Sequence, residues 1–186
     1  MKDINFISEK YRKYLLEVLF AEQRYYTVFG ADFTQNEIDK LLVDADANIL
    51  LFPLSTDLLS TILKSTSFFD SGVLQAWAKE IWGIEEPYSV INFDVLKNTL
   101  ELKDTILLKS VYDALGIVED YANQVGDERL LALLSKDILL QFKDDLADYF
   151  TWSESKTFRI SVNTDVVHLS LKEIHIRLSE KVNIYQ

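Results

Sequence analysis

The chain has no cysteine, which removes disulfides, thiolate nucleophiles and cysteine-ligated zinc together. Its 186 residues include only 5 glycines and 2 prolines, too few for a disordered or loop-rich chain. No apolar run approaches the roughly 18 residues of a membrane-spanning helix, so no membrane partner is expected. The opening, MKDINFISEKYRKYLLEVLF, carries charges through its apolar residues and does not read as an export signal. The expected location is the cytoplasm.

Catalytic signatures are missing as well. Neither G-x-G-x-x-G nor a P-loop occurs, and there is no G-x-S-x-G nucleophile elbow. The only 2 histidines sit in no His-Glu-x-x-His or Glu-x-x-His motif, so neither a metal site nor a cofactor is expected. Ser153-Glu154-Ser155-Lys156 matches S-x-x-K, but without companion motifs. Asp44-Ala45-Asp46-Ala47-Asn48 fits the first ligand positions of a calcium loop. The pattern then fails, with Ile49 where the turn needs Gly and Ser55 where a bidentate Glu belongs. The preferred reading is ordinary surface carboxylates.

What the chain does have is acid. The net charge is −11, unevenly spread: residues 151–186 hold 5 basic and 4 acidic side chains, while the other 150 residues hold 14 and 26. Such a body repels a phosphate backbone, which argues against direct nucleic-acid binding. It attracts basic protein surfaces.

Hydrophobic residues make up 48% of the chain, ample for one core. The richest stretch is Asp127 to Trp152. At helical spacing, Leu130, Leu131, Leu134, Leu139, Phe142, Leu146 and Phe150 cover a broad face. Leu133 and Leu140 sit seven residues apart on the opposite side, between Arg129, Lys136, Lys143 and Asp144. A helix apolar on more than one side is packed on more than one side, so this reads as a central helix.

Ahead of it, Ile7 to Phe29 reads as a first helix on a tyrosine-rich stripe, with Gly30 as its C-cap. Thr34-Gln35-Asn36-Glu37 is a capping box opening a second helix to Ala45. Ser55 or Thr56 caps a third, to Lys64. Asp70 or Ser71 caps a fourth, through Trp77 to Ile81. Asn92 caps a short helix from Phe93. Leu108, Val111, Leu115, Val118, Ala122 and Val125 form a heptad seam ended by Gly126. That seam favours an antiparallel pairing with the helix that follows; its alternative is a homo-oligomer through Leu108–Val125.

Past Trp152 the period changes to 2. Val167, Leu169 and Leu171 alternate with polar residues, as do Ile174, Ile176 and Leu178. The parity slips at Lys172-Glu173, which reads as a turn or a bulge. The expected fold is therefore α+β: an acidic bundle of about six helices over residues 1–152, and a C-terminal antiparallel β-meander over 153–186 on the same core. Val182 to Tyr185 would be a further strand, and a free β edge a second route to a homo-oligomer.

Two residue sets are candidate sites. Asp144, Asp145 and Asp148 end the central helix, where negative charge opposes the helix dipole. They are the candidate partner-binding residues. Arg159, His168, His175 and Arg177 would share the polar face of the meander, suited to an anion or to acid/base work. The leading functional expectation is a non-enzymatic intracellular interaction module that masks a basic surface on a partner, as immunity proteins, antitoxins and phage-encoded inhibitors do. The alternatives are a small-ligand or anion-binding protein or enzyme using the His168/His175/Arg159/Arg177 face, and a homo-oligomeric assembly protein.

Overall fold

The computed structural model describes residues 3–101, 103–152 and 160–185. The fold is α+β, with seven α-helices among the described residues. It divides into two compact units, Met1–Ile91 with Lys181–Gln186, and Asn92–Glu180.

The first unit is built on β-structure where the sequence predicts helices. After a short helix α1 (Ile4–Tyr11) come β1 (Lys13–Phe20) and β2 (Gln23–Asp32). They form a tight antiparallel hairpin, Phe20 opposite Gln23 and Lys13 opposite Gly30. The predicted first helix to Phe29 is therefore a helix followed by a hairpin. The segment is so densely apolar that helical spacing can be drawn through it. Tyr, Val, Phe and Thr nonetheless prefer a pleated surface. The turn is Ala21-Glu22, both left-handed (φ 51° and 63°), without the Gly or Asn that signals such a turn. Gly30 is no C-cap: a Cβ there would lie 2.2 Å from the Arg12 carbonyl oxygen, so it permits close approach of β2 to the start of β1.

The capping box opens no helix either. Asn36 and Glu37 are left-handed, and β3 (Ile38–Leu41) pairs with β2. The sheet order is β3-β2-β1-β5, with β5 at Ser89–Asn92. Helices α2 (Ser55–Lys64) and α3 (Ser71–Ile81) stand where the sequence places them. Leu15, Val28, Phe52, Leu58, Leu74 and Trp77 belong to the core they cover. Strand β4 (Ile49–Leu51) pairs in parallel with β6 (Val182–Ile184), so the last strand joins this unit.

The second unit is helical. A 3-10 helix, Phe93–Lys97, is capped by Asn92 as expected. Helix α4 (Thr105–Val125) ends at Gly126 (φ 66°). Its heptad seam is internal: Leu108, Val111, Leu115, Val118 and Ala122 are all fully buried. It is therefore spent inside its own unit and leaves no seam for an oligomer. The predicted central helix is broken into α5 (Glu128–Leu134) and α6 (Asp137–Ala147), followed by a π-helical turn, Asp148–Trp152. Lys136 takes an extended backbone (ψ 129°) between them.

The C-terminal antiparallel meander does not exist among the described residues. Thr164–Ser179 is a 16-residue helix, α7. Asn163 caps it, accepting from the Asp165 and Val166 N–H groups, and no Gly or Pro interrupts it. Its buried residues include Val167, Leu171, Ile174 and Leu178, spaced 4, 3, 4. The apparent alternation arose because two further apolar residues, Leu169 and Ile176, sit seven apart on the outside. The parity slip at Lys172-Glu173 is neither turn nor bulge, but the point where a period of 3.6 departs from 2.

Candidate functional site

In the second unit, α5 and α6 run antiparallel to α7, and three contacts fix the register. Arg177 Nη2 donates to Asp127 Oδ2 at 2.8 Å. Lys136 Nζ donates to Glu173 Oε2 at 2.5 Å. Asp145 Oδ2 accepts from the Ser161 N–H and Oγ, both at 2.8 Å. As residue numbers rise on one side, 127, 136, 145, they fall on the other, 177, 173, 161.

Between α5 and α7 lies a cleft of about 470 Å³, open to solvent. Ala132, Leu133 and Ile176 give it apolar walls, and Arg129, Lys136, Glu173, Arg177 and Glu180 ring it. Most of these charges are paired. Arg177 donates to Glu180 at 2.7 Å as well as to Asp127, and these two carboxylates, Glu180 first, hold its guanidinium above the usual arginine value. Asp127 is itself anchored as the N-cap of α5. Arg129 is exposed and has no partner among the described residues.

The sequence-predicted residues scatter around this feature. Arg177 lines the cleft. His168 and His175, seven apart, take another side of α7. His175 Nε2 lies 3.4 Å from Asp94 Oδ1, which Lys97 Nζ approaches at 3.2 Å. His168 Nδ1 is buried without a hydrogen-bond partner among the described residues. On a helix, residues 175 and 177 point about 200° apart, so the expected shared face is divided. Arg159 and the Ser153–Lys156 motif lie outside the described residues. Asp145 is spent on Ser161. Asp144 and Asp148 are exposed and lack side-chain partners among the described residues. Asp44 organises a turn: its carboxylate accepts from the Asp46 and Asn48 N–H groups and from Asn183 Nδ2. The described residues contain no cluster suited to a metal ion.

Sequence reasoning missed Glu173, Ile176 and Glu180, because a strand reading puts Ile176 on the buried face. It did register Leu133 and Leu140 on the minor face beside Arg129 and Lys136.

The first unit holds a different charged cluster. Lys13 is completely buried and Nζ lies 2.9 Å from Asp70 Oδ2, whose side chain is 5% exposed. The ammonium also donates to the Ala31 carbonyl and lies 4.7 Å from the centroid of the Phe33 ring. It is an internal ion pair tying β1 to the start of α3.

No family model matches the chain, and no curated protein does. A solved structure does: the C-terminal domain of SatS, in complex with bromine, is similar with a TM-score of 0.61 over 99% of each chain, at 10% identity. At that identity the likeness is one of fold. No helix among the described residues is long and apolar enough to cross a membrane.

Proposed function

We propose that this protein is a non-enzymatic interaction module that engages a basic partner protein through the face carrying the α5–α7 cleft. The observation that carries the reading is the cleft itself, with apolar walls left open to solvent and rimmed by charge. An exposed apolar patch with a polar rim is the usual form of a docking surface. The lining has no histidine, hydroxyl or carboxamide, and its carboxylates sit in ion pairs, which suits recognition better than acid/base work. The −11 charge steers a basic partner toward it. Asp144 and Asp148, exposed at the end of α6 and just beyond it, add negative charge to the same unit.

The test is capture from host lysate at low and high salt, with wild-type bait and an Asp144→Lys/Asp148→Lys bait. A stoichiometric basic protein, held at low salt and weakened by salt and by the double reversal, is expected. A partner insensitive to both would overturn the electrostatic reading.

A further inference from the structure

We propose that the α5–α7 cleft is a binding site for a small apolar molecule with one carboxylate, of the medium-chain fatty-acid class. The proposal goes beyond the interaction reading and does not rest on it.

The cleft has the size and lining of a ligand site. Its volume of about 470 Å³ falls within the roughly 300–1,000 Å³ of sites that hold small organic molecules. Such sites are mostly apolar, with a few polar groups that set orientation. Here the apolar middle is made by Ala132 and Leu133 on α5 and Ile176 on α7, and Ile176 is 63% exposed. Covering these side chains with an apolar chain releases the water against them.

The two ends differ. At one, Lys136 and Glu173 close on each other. At the other stand Arg129, Arg177 and Glu180. The Asp127–Arg177 contact brings the first turn of α5, and with it Arg129, to the last turn of α7. Arg177 is spent on Asp127 and Glu180. Arg129 is the cation left over, without a side-chain partner among the described residues. A guanidinium is a planar fork that takes a carboxylate through two parallel N–H bonds.

The pairing also selects against other head groups. A cationic ligand would have to break an ion pair, because Glu173 and Glu180 both hold basic residues already. A neutral one would gain nothing from Arg129. The lining carries Arg129, Lys136 and Arg177 against Glu173 and Glu180, a locally positive cleft on a −11 molecule. Salt confines the field of the acidic body to about 10 Å, so at contact Arg129 decides. From Glu173 to Glu180 is two helical turns, about 11 Å, a span that an extended medium-length fatty chain covers. The ligand lies with its carboxylate on Arg129 and its chain between Leu133 and Ile176, toward the Lys136–Glu173 bridge.

The probes are octanoate, octanol and octylammonium, one chain with three head groups. Each is titrated into the 15N-labelled full chain below its micelle-forming concentration. Octanoate is expected to shift the Arg129, Leu133 and Ile176 amides and to bind at least fivefold tighter than either of the others. Arg129→Gln should bring octanoate down to the affinity of octanol and leave octanol unchanged. Ile176→Asp should weaken both at least fivefold. Both positions are exposed, so thermal unfolding of the variants should match wild type. The proposal is overturned by octylammonium binding as well as octanoate, by a preference for octanoate that survives Arg129→Gln, by shifts centred away from α5 and α7, or by no saturable binding of octanoate.

Discussion

Asp127 and Arg177 meet at 2.8 Å, and through that contact one carboxylate organises two helices. Asp127 caps α5 by accepting from the Arg129 and Leu130 N–H groups, and it fixes the C-terminal end of α7 by receiving the Arg177 guanidinium. The wall positions of the cleft follow from this joint. Asp127→Ala removes both roles. A lost N-cap costs about 1 kcal/mol, and a lost charge-assisted hydrogen bond about 1.5–3 kcal/mol. Urea denaturation should show a loss of roughly 2–4 kcal/mol. Asp127→Asn, which keeps a capping oxygen, should lose less. Equal losses would show that the cap contributes nothing beyond the ion pair.

Lys13 and Asp70 allow a sharper test, because both are sealed from solvent. Removing one partner strands a buried charge, at a cost of roughly 3–5 kcal/mol. Lys13→Met should therefore be severely destabilising on its own. Lys13→Met with Asp70→Asn should recover much of the loss, since no buried charge remains. A double-mutant cycle by chemical denaturation measures this. Additive losses would mean the two charges do not depend on each other.

Ile174 and Ile176 separate the helix from the meander. On a strand they share one face and would respond alike. On α7, Ile174 is fully buried and Ile176 is 63% exposed. Ile174→Ala should cost about 2–5 kcal/mol through the cavity it leaves, and Ile176→Ala no more than about 0.5 kcal/mol. Comparable losses would contradict the helical assignment.

Acid should weaken the first unit through Asp32 and Asp44. Burial alone would raise the Asp32 carboxyl. Lys40 at 2.7 Å and the Thr34 hydroxyl and N–H together outweigh it, so it sits below the usual 3.8. Burial likewise opposes, and Asn183 and Asn48 outweigh it, at Asp44. A carboxyl lowered by folding contributes stability that is full above its unfolded value and is lost as pH falls through that value toward the folded one. Stability should thus drop below about pH 4. Asp32→Asn should be less stable than wild type at neutral pH and show a shallower decline in acid, followed by denaturation at several pH values.

Several elements are read directly from the residues around them. Helices α2, α3 and α4 and the 3-10 turn after Asn92 stand where apolar spacing places them, although the expected side-chain caps of α2 and α3 do not form: Leu54 holds the N-cap position of α2, and Asp70 gives its carboxylate to Lys13. Gly126 ends α4 in a left-handed conformation, and the Asn92 side chain caps its own turn. The hairpin β1–β2 was not legible, because its turn is made by Ala21 and Glu22, and only pairing over eight residue positions outweighs the left-handed backbone it imposes. Helix α7 was misread for the opposite reason: apolar residues on both its sides mimic the alternation of a strand.

Acidity and lack of cysteine are properties of composition, and the sequence by itself determines them. Which side of α7 is buried depends on which helices reach it, through Asp127 with Arg177 and Lys136 with Glu173, partners 50 and 37 residues apart. Local propensity carries no information over that distance. The tertiary structure therefore decided that Leu133 and Ile176 line an open cleft, that His175 turns to Asp94 while Arg177 turns to Asp127, and that the seam on α4 closes inside its own unit.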